Sequence, residues 1–426
     1  MNGVALPALS SRLRDLAKRQ PAHTTLLGEF YRDEEVYRAD LDRIWRTGWL
    51  FAAHSCELAA AGDFVTLEVG DDPLMVVRGE DGAARAFHNV CRHRGSIVCT
   101  TPHGHLGKRI VCPYHQWSYD LDGKLARATG MQEDLQKEDL GLHPVHLNEC
   151  EGLIFISLAA SPPPFDPAGA ELGPVLKPQG LKRARVAKIL DYRVAANWKL
   201  VWENNRECFH CVSNHPQYVK ANFDHYNPDD VTPRIREQMV AMVKRAEAKW
   251  AACGLGTPRT ETGLTPFPDA EKNIWFAGNR TPLVEGWVSE SMDGKQVSTL
   301  MGEYPDPDVG TMRVRTLPNF WNHSSCDHGV TTRLLPGGAQ TTLIRAYWLV
   351  DAQAVEGRDY DLVKMMPFWQ LTSEQDWTIC ERQQQGVNSS AYLPGPYSTY
   401  KEYNVDSFIR WYLGRLVGTA AVAGVA

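Results

Sequence analysis

The chain has no surplus of positive charge: its 426 residues carry 45 Lys and Arg against 51 Asp and Glu, a net charge of −6. That balance leaves no basic footprint of the kind nucleic-acid binding requires. Long apolar runs are missing too. Met1 is followed by no signal-type hydrophobic stretch, and the small residues of 418–426 are too few to span a bilayer. The expectation is a cytoplasmic protein with neither a membrane nor a nucleic-acid partner. There is no internal repeat and no low-complexity tract. No Gly-x-Gly-x-x-Gly fingerprint stands between a strand pattern and a helix pattern, so nicotinamide or flavin chemistry would have to come from a separate protein. The ten cysteines are scattered through a large chain and show no disulfide framework. Cys56, Cys99, Cys150, Cys253, Cys326 and Cys380 are expected to be reduced, mostly buried thiols.

What is present is a split set of metal donors, Cys91-Arg-His93 and Cys112-Pro-Tyr-His115. Thiolates suit iron–sulfur and zinc centres, and neutral imidazoles suit both. Each short pair supplies one Cys and one His, which fits a two-iron cluster with both sulfurs on one iron and both imidazoles on the other. A structural Cys2His2 zinc site is the competing reading, although in a zinc finger the two Cys come together and the two His come together.

The length suggests two domains or more. Ser11 to Trp49 reads as helical. Short strand patterns follow at Asp63–Val69, Pro73–Arg78, Ala86–Val90, Arg109–Cys112, Ser118–Leu121 and Gly152–Ser157, separated by Gly- and Asp-rich turns. Residues 46–158 therefore form a compact all-β module with the Cys/His pairs on two of its loops. Ser161-Pro-Pro-Pro-Phe-Asp-Pro167 makes a stiff linker over 159–167. Beyond it, Leu181–Ala196 is extended and Asn197–Ser213 is expected as a helix ended near His215-Pro216. Pro233–Ala252 is helical, residues 273–350 are strand-like, and Asp359–Val387 is a long helical region.

The second constellation lies in Glu207-Cys-Phe-His210-Cys-Val-Ser-Asn-His215-Pro216. On an ideal helix Glu207 and His210 share a face, and Pro216 frees His215 from helical geometry to swing towards the same point. Two imidazoles and a distant carboxylate would make the facial triad of a mononuclear non-heme iron site. Taken alone, paired histidines are more often polar core or surface residues.

With both constellations in one chain, the sequence resembles the catalytic α subunits of Rieske non-heme iron oxygenases (the aromatic-ring-hydroxylating dioxygenase superfamily) over nearly its full length. The residues carrying the resemblance are Cys91-Arg-His93-Arg-Gly95, Cys112-Pro-Tyr-His115-Gln-Trp117, and Trp198-Lys through Glu203-Asn204, Glu207, His210 and His215-Pro216. Gln116 stands where many members have Gly. The family's third iron ligand is an aspartate on a late helix ahead of a Gln-Gly pair. Asp376, before Gln385-Gly386, takes that place, with Asp359 and Asp361 as neighbouring surface or helix-start residues. Glu207 departs from the Asp of most ring-hydroxylating members. Glu there is similar to the quaternary-ammonium branch: stachydrine demethylase, glycine betaine monooxygenase, choline monooxygenase and carnitine monooxygenase.

The resemblance implies an α+β chain. Its parts would be an N-terminal helical segment (1–45) packing on the catalytic domain, a Rieske [2Fe–2S] domain (46–158) and a helix-grip, START-like catalytic domain (168–426) with a central antiparallel sheet. It implies a cluster on Cys91, His93, Cys112 and His115, and a mononuclear Fe(II) on His210, His215 and Asp376. Glu207 would join the cluster of one subunit to the iron of its neighbour in a homotrimer. O2 is the implied co-substrate, with NAD(P)H electrons arriving through a separate flavin–ferredoxin-type reductase. The favoured reaction is N-demethylation of stachydrine or glycine betaine, with ring dihydroxylation of an aromatic acid, choline or carnitine oxidation and pure electron transfer as alternatives. An ammonium cation can be held by aromatic faces. Candidates are Phe209, Trp287, Phe320 and Trp321, with Trp275, Phe276, Tyr347 and Trp348 as further possibilities; Arg313, Arg315, Asn319, Asn322 and Arg345 could anchor a carboxylate. Cys208 and Cys211 are expected as packing thiols.

Overall fold

The computed structural model describes residues 8–132, 134–222, 231–255 and 275–418; the expectations for 419–426, and for 273 and 274, lie outside them. The first part of the chain folds into helices α1 (Ser11–Arg19), α2 (Glu29–Arg32) and α3 (Glu34–Asp40), and α3 runs on into a π-helical turn, Leu41–Trp45. Two of these starts, those of α1 and α3, carry a side-chain cap. The Ser10 hydroxyl accepts from Leu13 N, and the Asp33 carboxylate accepts from Glu35 N and Val36 N.

Ten strands follow: β1 (Leu50–His54), β2 (Asp63–Val69), β3 (Asp72–Arg78), β4 (Ala84–His88), β5 (His103–His105), β6 (Arg109–Val111), β7 (Ser118–Asp120), β8 (Leu125–Arg127), β9 (Pro144–Cys150) and β10 (Leu153–Ser157). They make a seven-stranded sheet, ordered β1-β10-β9-β4-β3-β2-β5, and a small sheet β6-β7-β8. Met75, Val77 and Phe87 of the large sheet pack with Ile110, Trp117 and Tyr119 into a core of their own, which includes Cys91 and Cys112.

The linker is not a free tether. Trp49 Nε1 donates to Pro163 O at 2.8 Å, and Phe165 is buried against Trp49 and Phe155. Helix α4 (Asp166–Leu176) begins within the proline-rich stretch and packs on the second sheet. That sheet is built from β11 (Ala184–Val194), β12 (Phe276–Thr281), β13 (Thr311–Thr316), β14 (Phe320–Ser324), β15 (Gly329–Gly338) and β16 (Thr341–Asp351), fully antiparallel in the order β11-β16-β15-β14-β13-β12. Between β11 and β12 come α5 (Trp198–Asn205), α6 (Cys211–Asn214), α7 (Tyr218–Ala221) and α8 (Pro233–Ala252). After β16 come α9 (Leu362–Met365), α10 (Pro367–Val387) and α11 (Tyr403–Val417). The chain is α+β, as expected.

Helix α5 is buried on every side. Trp198, Leu200, Val201 and Trp202 share one core with Leu13, Leu16 and Trp45 from the N-terminal helices, with Trp377 and Cys380 of α10, and with Phe408 and Tyr412 of α11. Each such aliphatic side chain contributes about 1.5–3 kcal/mol. Its two buried charges are both satisfied. Lys199 Nζ donates to Asp40 Oδ2 at 2.5 Å, and Asp40 also accepts from Trp198 Nε1 (3.0 Å) and Tyr412 OH (2.9 Å). Glu203 accepts from Tyr31 OH at 2.7 Å and Tyr397 OH at 3.3 Å. Burial nevertheless raises the Glu203 carboxyl to about 7.

Candidate metal centres and the cavity between sheet and helix

The loops after β4 and β6 are built alike. Cys91 N donates to Ser96 O and accepts back, through its carbonyl, from Gly95 N; Cys112 N donates to Trp117 O, and Cys112 O accepts from Gln116 N. Each turn closes through a left-handed residue, Gly95 at φ 76° and Gln116 at φ 59°. Glycine adopts that conformation without penalty, so Gln116 holds strain at the position where the resemblance leads one to expect Gly. The turns bury both sulfurs and leave the His93 and His115 rings half-exposed, their centroids 4.7 Å apart. His93 lies flat on Trp117 at 4.7 Å. The Tyr119 hydroxyl sits 3.3 Å from Cys91 Sγ and accepts from Arg92 N. His93 Nδ1 is buried with no hydrogen-bond partner among the described residues. A buried imidazole nitrogen left without a partner beside two paired thiols fits a metal ligand, and sheltered sulfurs with exposed imidazole edges fit a Rieske [2Fe–2S] cluster.

At the second site the helix expected over Asn197–Ser213 breaks. Helix α5 stops at Asn205, and His210 caps the separate α6. The cause is Glu207, whose Oε2 accepts from Phe209 N and from His210 N at 3.2 Å, a local carboxylate–backbone closure that competes with helix propagation. Glu207 and His210 therefore meet across a turn and not along a helix face: Glu207 Oε1 lies 2.5 Å from His210 Nδ1. Cys208 and Cys211, expected as separate thiols, are joined by a disulfide with Cα atoms 5.0 Å apart, a reach the turn provides. The other eight cysteines are free, and only Cys253 is exposed.

His210 Nε2 and His215 Nε2 converge on Asp376 Oδ1 at 3.2 and 3.0 Å, and their far nitrogens are held by Glu207 and by Gln375 Oε1 (2.8 Å). Gln217 fixes Gln375 in turn, at 2.9 Å. Burial pulls the His210 imidazole down, but hydrogen bonds to Asp376 and Glu207 outweigh it and raise it to about 10. Burial pushes Asp376 up, and its bonds to His210 and His215 bring it below its ordinary value. A site that keeps the Asp376 carboxylate ionised and draws a proton onto an imidazole fits a bound cation. Cys211 Sγ also lies within 4.8 Å of the two imidazoles, but a sulfur in a disulfide has no thiolate to offer, which leaves Asp376 as the third donor.

A cavity of about 70 Å3 opens onto these residues. Its floor is one face of the second sheet. Register pairs Arg313 with His323 and His323 with Val330, and in the next row Arg315 with Trp321 and Trp321 with Thr332. Trp369, Thr372, Ser373 and Trp377 of α10 form the opposite wall beside Asp376, and Tyr218 closes one side. Trp321 thus lines the cavity. Phe320 points to the other face of β14, where it packs on Phe51. Trp287 packs over Gly294, and Phe209 is 54 % exposed under Lys401. Trp369 and Trp377 do not stand out in the sequence, although Trp369, two turns before Asp376, shares its side of α10. Asn319 is spent on the Phe51 backbone, Asn322 accepts from Ser324 and Arg345 pairs with Asp191; Trp275, Phe276, Tyr347 and Trp348 lie in the cores.

An electron-entry module joined to an open two-histidine, one-carboxylate site defines a two-centre iron oxygenase. Comparison with known proteins agrees. Residues 48–144 match the Rieske [2Fe-2S] domain, and 181–418 match the ring hydroxylating alpha subunit (catalytic domain). A glycine betaine monooxygenase oxygenase subunit of Pseudomonas aeruginosa (strain UCBPP-PA14) is 41 % identical over 406 residues, covering 95 % of this chain and 91 % of that one. A carnitine monooxygenase oxygenase subunit of Escherichia coli (strain K12) is 33 % identical over 205 residues, 46 % of this chain and 53 % of that one. Among solved structures, a quaternary ammonium Rieske monooxygenase shares the fold at TM-score 0.70 and 20 % identity, covering 96 % of this chain and all (100 %) of that one. Naphthalene 1,2-dioxygenase from Rhodococcus sp. shares it at 0.64 and 18 %, covering 96 % and 99 %. The chain belongs to the Rieske oxygenase α subunits, enzymes with a [2Fe–2S] cluster and a mononuclear iron. No described helix is long and apolar enough to cross a membrane.

Proposed function

We propose that this enzyme is the terminal oxygenase of an N-demethylating system acting on a quaternary ammonium betaine, glycine betaine or stachydrine. Cys91 and Cys112 would hold one cluster iron, His93 and His115 the other, and His210, His215 and Asp376 the mononuclear iron. When bound, these groups supply single electrons and O2 chemistry. The protein contributes placement. Glu207 and Gln375 fix the two imidazoles by their outer nitrogens, so both Nε2 atoms face the cavity.

One observation carries the substrate reading: three tryptophans, Trp321, Trp369 and Trp377, with Tyr218, wall a small cavity that opens on the metal donors. Aromatic faces bind a methylated ammonium without needing a counter-charge. The 41 % identical glycine betaine monooxygenase subunit supports the same choice. Two electrons, two protons and O2 convert an N-methyl group to N–CH2OH and water, and the carbinolamine then collapses to the demethylated amine and formaldehyde.

The electrons would come from NAD(P)H through a separate reductase. A homotrimer would bring one subunit's half-exposed His93 and His115 to its neighbour's Glu207. Exposed Tyr114 beside His115, and exposed Phe209 and Val212 beside Glu207, are apolar surfaces suited to such a contact. Iron-replete enzyme supplied with NADH, a flavin–ferredoxin reductase and a panel of betaines should release one formaldehyde per substrate consumed. Dihydroxylation of an aromatic acid without formaldehyde from any ammonium compound would overturn the reading.

A further inference from the structure

Beside its aromatic wall the cavity carries a cationic floor. Arg313 and Arg315 stand two residues apart on β13, so period two puts them on one face, and both line the cavity while being 3 % and 7 % exposed. Two guanidiniums side by side in a buried site repel each other. Arg313 is partly provided for: it donates to Tyr218 OH and Asn222 Oδ1, each at 3.0 Å, and Asn222 leads on to the buried Glu290 at 3.1 Å. Arg315 also bears on the buried Arg206, lowering it, while Tyr403 acts the other way. Between the arginines and α10 stands His323, held well below its ordinary value by burial and by Arg313 and Arg315, hence neutral. Its Nδ1 is buried with no hydrogen-bond partner among the described residues. The cavity is therefore bipolar, with Asp376 and Glu207 at one end and Arg313, Arg315 and an unsatisfied imidazole at the other.

We propose that Arg313 and Arg315, with His323, bind the carboxylate of a zwitterionic substrate and so set this enzyme's selectivity for betaines over cations without an acid group. This rests on the reading that the substrate is a quaternary ammonium compound. With the ammonium among the tryptophans, the carboxylate meets the guanidiniums in charge-assisted hydrogen bonds, and the N-methyl groups are left facing His210 and His215. An alcohol such as choline has no carboxylate to accept these hydrogen bonds.

The test is calorimetric titration of the anaerobic, iron-loaded enzyme with glycine betaine, with its methyl ester and with tetramethylammonium. The acid should bind about 10- to 100-fold more tightly than the ester. Arg315→Gln should weaken acid binding to the ester's level while changing ester binding less than about twofold, and Arg315→Lys should restore part of the difference. Melting temperature and the cluster spectrum report whether each variant is folded; should Arg315→Gln fail to fold, the acid–ester comparison on the unaltered enzyme decides alone. Equal affinity for acid and ester overturns the carboxylate site but leaves the quaternary-ammonium reading standing. Binding of none of the three overturns both.

Discussion

Replacing Glu207 by alanine removes one carboxylate from two duties. Its Oε1 lies 2.5 Å from His210 Nδ1, and its Oε2 caps the turn through Phe209 N and His210 N. A hydrogen bond to an ionised group is worth about 1.5–3 kcal/mol, and loss of a residue that orients a metal-bound histidine typically costs about 10- to 100-fold in metal affinity. Excess Fe(II) restores occupancy after a loss of that size, so the iron-replete variant should again hold about three irons per chain, two in the cluster and one mononuclear. Excess iron would not restore the proposed link between centres in different subunits. Formaldehyde release should therefore remain down by about 10- to 100-fold, and the pre-reduced cluster should re-oxidise slowly on adding O2 and substrate. The assays are metal analysis, stopped-flow absorbance of the cluster, and product against O2 consumed. An iron-replete Glu207→Ala enzyme with normal, coupled turnover would refute the linking role. Glu207→Gln, which keeps length and an acceptor oxygen but not the charge, should fall between the two.

Tyr119→Phe deletes the hydroxyl 3.3 Å from Cys91 Sγ. Hydrogen bonds to cluster sulfurs stabilise the more negative, reduced state, so the reduction potential should drop; an unchanged midpoint in voltammetry would show the contact to be inert. Glu203→Gln probes a carboxyl raised from 4.5 to about 7 by burial. A raised carboxyl favours the protonated folded state, so its contribution is present below pH 4.5 and is lost as pH climbs through 7. Between those two values the loss runs at about 1.4 kcal/mol for each tenfold fall in proton concentration. Urea midpoints of the unaltered enzyme should fall across that window, and those of Glu203→Gln should stay flatter; parallel curves would contradict the assignment.

The donors were legible in the sequence because their chemistry is local. Cys91-Arg-His93, Cys112-Pro-Tyr-His115 and His210/His215 sit in short motifs, and each turn is closed by hydrogen bonds within a few residues. Asp376 was legible only through the resemblance, since nothing in 160 residues of intervening chain fixes its distance from His215, which the fold sets at 3.0 Å. The break after Asn205 was hidden because a carboxylate that folds back on its own backbone looks, in sequence, like an ordinary helix residue. The cavity walls were the least legible part. Trp321 and Phe320 are neighbours of similar character, and only the register of β14 against β13 and β15 sends one into the cavity and the other into the core. Arg315 and Arg345 likewise differ only in which strand and face carries them.

Helix α5 is gripped from both sides of the sequence: Tyr31 and Tyr397 both hold Glu203, and Asp40 is shared by Lys199 and Tyr412. A chain leaves the ribosome N-terminus first. Asp40 is made 159 residues before its partner Lys199, and the aromatic surface around them stays open until residues 397–412 follow. The Rieske core, by contrast, draws only on residues 64–142 and can close much earlier. Birth order thus separates the two irons. The residues of the electron inlet's core are all made by Leu142, whereas α5 gains its last supports only with Tyr397 and Tyr412. Cluster absorbance without mononuclear iron, in chains arrested before Tyr397, is the signature to look for.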